Sequence, residues 1–389
     1  MQTLRRLSLR CTAAAIVLPL AVGLAACTAD GPNTGGPRKS PAASSTPSES
    51  AAPALDTKAT TGDQRGTVPP VNAAVAPASS KHLPAHFDFQ AHRGGRGEFT
   101  EESRAAYEHA LDLGVTTLET GIVMTKDGVP MVWHDPDIKD TKCSDTKPVR
   151  EGDPQFPYVG KLVHELTWDQ IQTLNCDKKL ADFPDQQPAK GNKPLKLSQL
   201  FAVAARDPKV HFNIETKVEG EKREQSAEPK AFVDAILKEV REAGTADRVM
   251  IQSFDWRTLP MVRAQAPGIP LVALYDETTW KPKSQWTGSV DYDAVHGDVV
   301  EAGKKLGADV LSPGYTQPYG KDATDADYHP VATPDLVTKA HEAGMRVVPW
   351  TVNPEGAIQE QLNAGVDGII TDQPQRLRKI LQDRGIQFR

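Results

Sequence analysis

Phe87-Asp88-Phe89-Gln90-Ala91-His92-Arg93-Gly94-Gly95-Arg96-Gly97 alternates apolar and polar residues, then breaks into a histidine, arginines and three glycines. Period-two alternation is the pattern of a half-buried strand, and the glycines behind it mark a loop. Glycine lets backbone approach a ligand closely, and the planar fork of Arg93 suits phosphate. Alone, a strand ending in a turn with a surface His-Arg pair would explain these residues as well. A second stretch of the same build tips the reading. Residues 118–124, a Lys126-Asp127-Gly128 turn and residues 129–133 form a hairpin pattern whose second arm ends in His134-Asp135. In a third run, Val210-His211-Phe212-Asn213-Ile214-Glu215-Thr216-Lys217, the acid Glu215 and the base Lys217 lie two apart, on one face of a strand. Two strand-end histidines, carboxylates on two strands and nearby cations are the groups needed to cleave a phosphoester.

Further strand-like runs end near Ser253, Tyr275, Ser312, Trp350 and Thr371, in addition to those ending near Ala91, Val123 and Thr216. Helical patterns over 102–113, 229–243, 255–266, 334–343 and 355–363 separate several of them. Strands alternating with helices predict an α/β fold with a parallel sheet, and closing eight strands gives a (β/α)8 TIM barrel. A doubly wound open sheet is the alternative, but no GxGxxG opens a helix after the first strand. In a barrel the strand-end residues gather on one rim. Residues 136–196 interrupt the rhythm as a polar insertion after the second strand, with one helical piece at 167–174. It reads either as a cap over the pocket or as a decorated loop.

The ordered set resembles the glycerophosphodiester phosphodiesterases. It comprises His92-Arg93-Gly94, Glu101, Glu119 before Thr125-Lys126-Asp127-Gly128, His134-Asp135, Glu215-x-Lys217, Trp350-Thr351-Val352-Asn353, Gly365-Val366-Asp367-Gly368 and Thr371-Asp372, and it spans about residues 85–385. The resemblance implies the barrel fold and hydrolysis of glycerophosphodiesters to sn-glycerol 3-phosphate and an alcohol. It makes His92 and His134 the acid/base pair, since imidazole titrates near neutrality. Glu119 and Glu215 become ligands of a divalent cation, Ca²⁺ or Mg²⁺. Arg93, Lys217, Glu101 and Trp350 bind substrate, the first two on phosphate oxygens and Trp350 against the glycerol. Asp367 and Asp372 are expected to fix the last strand and its loop. Two places depart from the family. Its Glu-x-Asp is here Glu119-Thr120-Gly121, so the aspartate's role passes to water, to another residue of the insertion, or is lost. Its Pro-Glu-Asn-Thr is here Thr100-Glu101-Glu102-Ser103. The lost aspartate motivates a second reading, a non-catalytic lipoprotein that binds phosphodiester headgroups. A phospholipase D-like lipid hydrolase is a third, but it calls for an apolar rim that the polar insertion does not suggest.

The N-terminus is built for export. Arg5, Arg6 and Arg10 precede an apolar run too short to span a membrane, and the run ends in Leu24-Ala25-Ala26-Cys27, which resembles a bacterial lipobox. Residues 1–26 are therefore expected to be a leader and Cys27 the acylated first residue. Simple secretion is the alternative, and the Sec or Tat route stays open. Residues 27–84, rich in Ala, Pro, Ser and Thr, form an expected disordered tether to a domain at 85–389. The formal charge is −6, and losing 1–26 removes three arginines and no acid. So acidic a chain excludes nucleic acid as a partner and leaves the lipid anchor as its hold on a membrane. A small-molecule glycerophosphodiester, or the glycerophosphate chain of a teichoic acid, is the expected substrate of a monomer. Beyond Cys11 and Cys27 only Cys143 and Cys176 remain, a pair expected to oxidise outside the cell.

Overall fold

A computed structural model describes residues 82–389. The expected leader, Cys27 and the tether up to residue 81 lie outside the described residues. Leu83 packs against apolar side chains of the sheet, and Pro84 O accepts from Arg346 Nη1 at 2.7 Å.

Ten strands are present among the described residues: β1 Asp88–Ala91, β2 Thr117–Met124, β3 Pro130–Val132, β4 Leu195–Lys196, β5 His211–Thr216, β6 Val249–Ser253, β7 Leu271–Tyr275, β8 Val310–Pro313, β9 Arg346–Val347 and β10 Gly368–Thr371. Eight lie in the order β10-β1-β2-β5-β6-β7-β8-β9, and every adjacent pair on that path is parallel. β3 and β4 add antiparallel pairs beyond β2. The two ends of the path also exchange backbone hydrogen bonds, from Asp367 N to Val347 O at 2.9 Å and from Ile370 N to Pro349 O at 3.0 Å.

Period-two alternation sorts the strand residues onto two faces. Phe89, Leu118, Phe212, Ile214, Ile251, Leu271, Leu311 and Ile369 join one large apolar cluster with the helices. Their neighbours face the other way. Met250, Val272, Val310, Val348 and Ile370 make a small apolar cluster there, and Asp88, Gln90, Glu119, Asn213, Glu215 and Gln252 are buried beside it. Apolar residues thus glue the sheet to its helices, while the second face carries the chemistry.

The helices largely follow the sequence pattern: α1 Arg104–Leu113, α2 Trp168–Ile171, α3 Leu197–Ala204, α4 Pro229–Ala243, α5 Thr258–Gln265, α6 Val299–Leu306, α7 Pro334–Glu342, α8 Glu355–Ala364 and α9 Pro374–Asp383. α4 has the expected bounds because Pro229 starts it and Gly244 ends it at φ 64. α1 starts two residues later than expected. Ser103 caps it by accepting from Ala106 N, and Glu102 stands outside at φ 56. The expected piece at 167–174 shrinks to the four residues of α2, capped by Thr167. α6 and α9 were not anticipated, and the expected strand end at Trp350 lies beyond the short β9, bridged to Gly314.

Between β3 and β4 the chain has little regular structure but its own interior. Trp133, Ile138, Tyr158, Val163, Leu166, Ile171 and Leu174 form a separate buried cluster with Cys143 and Cys176. Those two cysteines are joined in a disulfide across 33 residues, as their number led us to expect.

Candidate active site

His92 and Arg93 leave β1 in a turn that takes Arg93, Gly94 and Gly95 through φ values of 50°, 80° and 93°. Glycine enters that region without a steric cost. The turn points the Arg93 amide at β2, where it donates to Glu119 Oε2 at 2.8 Å. His92 Nδ1 lies 2.6 Å from Asp372 Oδ1. A carboxylate only accepts, so Nδ1 carries the hydrogen and Nε2 is turned to the cavity, 3.9 Å from Glu119 Oε2. Asp372 follows β10 and is itself held by Asn353 Nδ2 at 2.8 Å. Burial would raise its carboxyl, but the charge and hydrogen bond of His92 outweigh that and hold it below the ordinary range.

Glu119 is fixed from the other side by Gln252 Nε2, 2.7 Å from its Oε1. The Asn213 amide donates to Gln252 Oε1 at 3.0 Å and to Gln90 Oε1 at 2.9 Å. Both glutamines therefore turn their NH₂ groups outward, Gln252 to Glu119 and Gln90 to Asp88 Oδ2 at 2.7 Å. The Glu119 carboxyl is pushed up, first by burial and then by the neighbouring Glu215, against the opposing pull of His92.

Glu215 Oε1 accepts from Lys217 Nζ at 2.9 Å, and the same ammonium lies 3.0 Å from His134 Nε2. An ammonium only donates, so His134 Nε2 accepts and its Nδ1–H faces Asp135 Oδ1 at 3.3 Å. Burial, then Arg93, Lys217 and Lys142, push the imidazole pKa well down, and His134 is neutral. Glu101 touches neither histidine. It is buried under three cations: Arg93 Nη1 at 3.2 Å, Arg96 Nε at 2.7 Å and the Lys142 ammonium. Burial alone would raise its carboxyl; Arg93, Lys142 and Arg96 drive it well below the ordinary range.

Seen from the cavity, six of the eight expected site residues share one wall. His92, Arg93, Glu119, His134, Glu215 and Trp350 line a space of about 280 Å³, together with Arg96, Gln252, Phe254, Tyr319 and Asp372. Lys217 stands behind Glu215 and His134, and Glu101 lies behind Arg93. The Trp350 ring meets Phe254 edge-on at 5.2 Å and Tyr319 at 5.1 Å, making one aromatic side. Asp372 does more than was expected of it: besides closing the last strand it holds a histidine of the cavity. Its place directly after a strand was the signal. Asp367 behaves as expected, accepting from Val347 N and pairing with His341 at 2.8 Å. Gln252 and Asn213 were missed because amides on a strand carry no distinctive pattern.

Among the described residues no group of three or more His, Cys, Asp or Glu side chains is gathered so as to hold a metal ion. A Cβ on Gly121 would lie 2.9 Å from Trp133 O and 3.2 Å from Lys217 Cγ, so any side chain there would press on the backbone after β3 and on the lysine stem. Glu119 and Glu215 remain, on neighbouring strands with Gly121 and Glu215 in register. Carboxylate oxygens are the donors a hard divalent cation, Ca²⁺ or Mg²⁺, takes, and water and phosphate would have to complete its shell.

Comparison with known proteins agrees with the geometry. A family model described as the glycerophosphoryl diester phosphodiesterase family matches residues 92–376. The chain is 26% identical over 295 residues to a glycerophosphodiester phosphodiesterase of Caldanaerobacter subterraneus, covering 76% of this chain and 98% of that one. A crystal structure from Silicibacter pomeroyi superposes with a TM-score of 0.65 at 27% identity, covering 80% of this chain and 98% of that chain. An Oleispira antarctica phosphodiesterase solved with the product sn-glycerol-3-phosphate shares the fold at 18% identity and a TM-score of 0.54, covering 76% and 97% of the two chains.

Proposed function

Because the chain belongs to the glycerophosphoryl diester phosphodiesterase family, whose members hydrolyse glycerophosphodiesters, we propose that it releases sn-glycerol 3-phosphate and an alcohol by paired-histidine catalysis. The observation that carries this reading is the convergence of His92, His134, Glu119 and Glu215 on one cavity, each fixed by a named partner. His92 is the base. Its Nε2 faces the cavity, and Asp372 and Glu119 stabilise the imidazolium formed when it takes a proton of the attacking water. His134 relays a proton to the departing alkoxide: Nε2 takes one from the Lys217 ammonium as Nδ1 gives one up, which leaves the imidazole neutral and the lysine as the free amine. Arg93 and Arg96 offer N–H groups to the phosphoryl oxygens, where charge grows in the transition state. The glycerol stacks on Trp350, Phe254 and Tyr319. A divalent cation held by Glu119 and Glu215 would act as a Lewis acid on the phosphoryl group.

The alternatives fare less well. A binder that had lost hydrolysis would not need Asp372 and Asn353 to lock His92. A lipid hydrolase would want an apolar rim, yet among the described residues only Val149 and Tyr319 are exposed large hydrophobics. Barrel closure is part of the proposal, supported by the hydrogen bonds from 347–349 to 367–370. So is the placement: leader 1–26, acylated Cys27, tether to about residue 84, and a monomer facing outward from the membrane, where teichoic acid glycerophosphate is within reach. Mass spectrometry of Cys27 tests the anchor.

The central test incubates the full chain with glycerophosphocholine and measures glycerol 3-phosphate, with and without EDTA and with Mg²⁺ or Ca²⁺ restored. Turnover lost with chelator and regained with Mg²⁺ or Ca²⁺ is expected. Turnover indifferent to chelator would remove the metal from the proposal. No glycerol 3-phosphate from any glycerophosphodiester under any metal would end the enzymatic reading.

A further inference from the structure

Arg93, Arg96 and His134 each face two cavities. Behind the one already described lies a second, of about 630 Å³, bounded by residues 135–142 and 179–182. Its walls are built rather than draped. The Cys143–Cys176 disulfide ties the two stretches together. Lys178 adds backbone and side-chain bonds to Lys142 O and Asp140 O, at 3.2 and 2.6 Å. Gln186 Nε2 donates to Arg96 O at 2.6 Å and Phe99 O at 3.0 Å, fastening the far wall to the turn after β1.

The lining is cationic. Lys139, Lys142 and Lys179 join Arg93 and Arg96, against Asp135 and Asp182. Glu101 and Asp135 neutralise part of this set, since Lys142 bridges them and both arginines also meet Glu101. Lys139 pairs with Asp137 at 2.6 Å. Lys179 donates to the Pro184 carbonyl at 2.7 Å, a contact that leaves its charge uncompensated. The balance around the cavity is positive.

On the catalytic reading above, on which this rests, the glycerol occupies the aromatic cavity and the leaving oxygen points at His134. That histidine is the doorway to the second cavity. We infer that the second cavity receives the leaving alcohol and selects one that carries a negative charge, a further phosphate, over the cationic choline headgroup. Choline is recognised by aromatic faces; this space offers ammonium and guanidinium groups, which suit phosphate oxygens.

The test compares kcat/KM for three substrates differing only beyond the scissile bond: glycerophosphocholine, glycerophosphoinositol and glycerophosphoinositol 4-phosphate. A glycerophosphate trimer forms a fourth arm, in which the added charge is a chain diester instead of a monoester. The added phosphate is expected to raise kcat/KM by about tenfold over the neutral inositol ester, with choline last. In a Lys139→Ala/Lys179→Ala variant the ratio between phosphorylated and neutral inositol esters should fall towards one. A gain in either phosphate arm supports the inference and identifies the source that fits. Equal rates, a choline preference, or a ratio the lysine pair does not move would overturn it. Calorimetry with inositol 4-phosphate alone separates this from the catalytic reading. Binding weakened by the double substitution and by salt, without turnover of any ester, would fault the chemistry and leave the anion subsite standing. Absence of binding would remove the subsite even in an active enzyme.

Discussion

Glu119 and Glu215 stand on adjacent parallel strands and are held by amides and a lysine that point from the same sheet face. His134, Asp135 and Lys142 stand on a segment with almost no regular structure, held by a small apolar cluster and one disulfide. Each region fixes polar groups on a cavity that His134 lines. In the first, the backbone ladder sets side-chain direction, so a slip of one residue would turn every functional group to the wrong face. In the second, direction comes from local hydrogen bonds and the cross-link. A strand scaffold suits groups that must not vary between substrates. A cross-linked loop suits the wall that chooses the leaving group.

The sharpest way to break the comparison is to remove one imidazole from each region. His92→Ala and His134→Ala should each lower kcat about 10²–10⁴-fold, measured as glycerol 3-phosphate release. If the two halves act as one unit, the double variant should lose little more than the worse single. Additive losses would mean the histidines serve separate reactions. Next in size is Glu101→Gln, which leaves Arg93, Arg96 and Lys142 facing one another without their shared carboxylate. Stability should fall by about 3–5 kcal/mol, read by denaturant titration, because buried cations are left uncompensated. The disulfide comes third. Cys143→Ser should cost about 2–4 kcal/mol, with proteolytic nicking concentrated in 136–190. Nicking spread evenly over the chain would show that the segment is no separate unit.

Much of the strand-borne half was legible beforehand. Alternating runs such as 87–91 and 210–217 must bury one face, and a polar residue in them is conspicuous. His92, Glu119, Glu215 and Lys217 declared themselves in this way. Asp372 was visible by position but not by role, because nothing local says that a residue after the last strand meets one after the first, 280 positions away. The amide chain through Gln90, Asn213 and Gln252 was invisible for the same reason. The other half was legible only as an interruption. Its lysines look like a solvated surface in sequence, and their convergence depends on a fold that no period announces. At Gly121 the missing aspartate was plain, while the close approach of the Trp133 carbonyl and the lysine stem could only be seen in three dimensions.

Glu102 sits between the two regions and offers the finest test. It stands at φ 56, a left-handed backbone that a family asparagine would adopt more readily. Its side chain is buried, and neither carboxyl oxygen has a hydrogen-bond partner. Burial first, then the adjacent Glu101, push its pKa up to about 8, against Arg93 and Lys142. The folded chain therefore keeps a proton that the unfolded chain has released above its ordinary pKa of about 4.5. That proton's contribution to stability is complete below the unfolded value and is lost as pH rises through the folded one. Glu102→Gln carries no such proton. Its stability relative to the parent should grow between about pH 4.5 and 8 and level off above, by at most about 1.4 kcal/mol per pH unit. Chemical denaturation across that range reads the slope. A gap that stays flat would mean Glu102 is ionised in the folded chain, compensated by Arg93 and Lys142; the turn after β1 would then belong electrostatically to the cross-linked half and not to the strands.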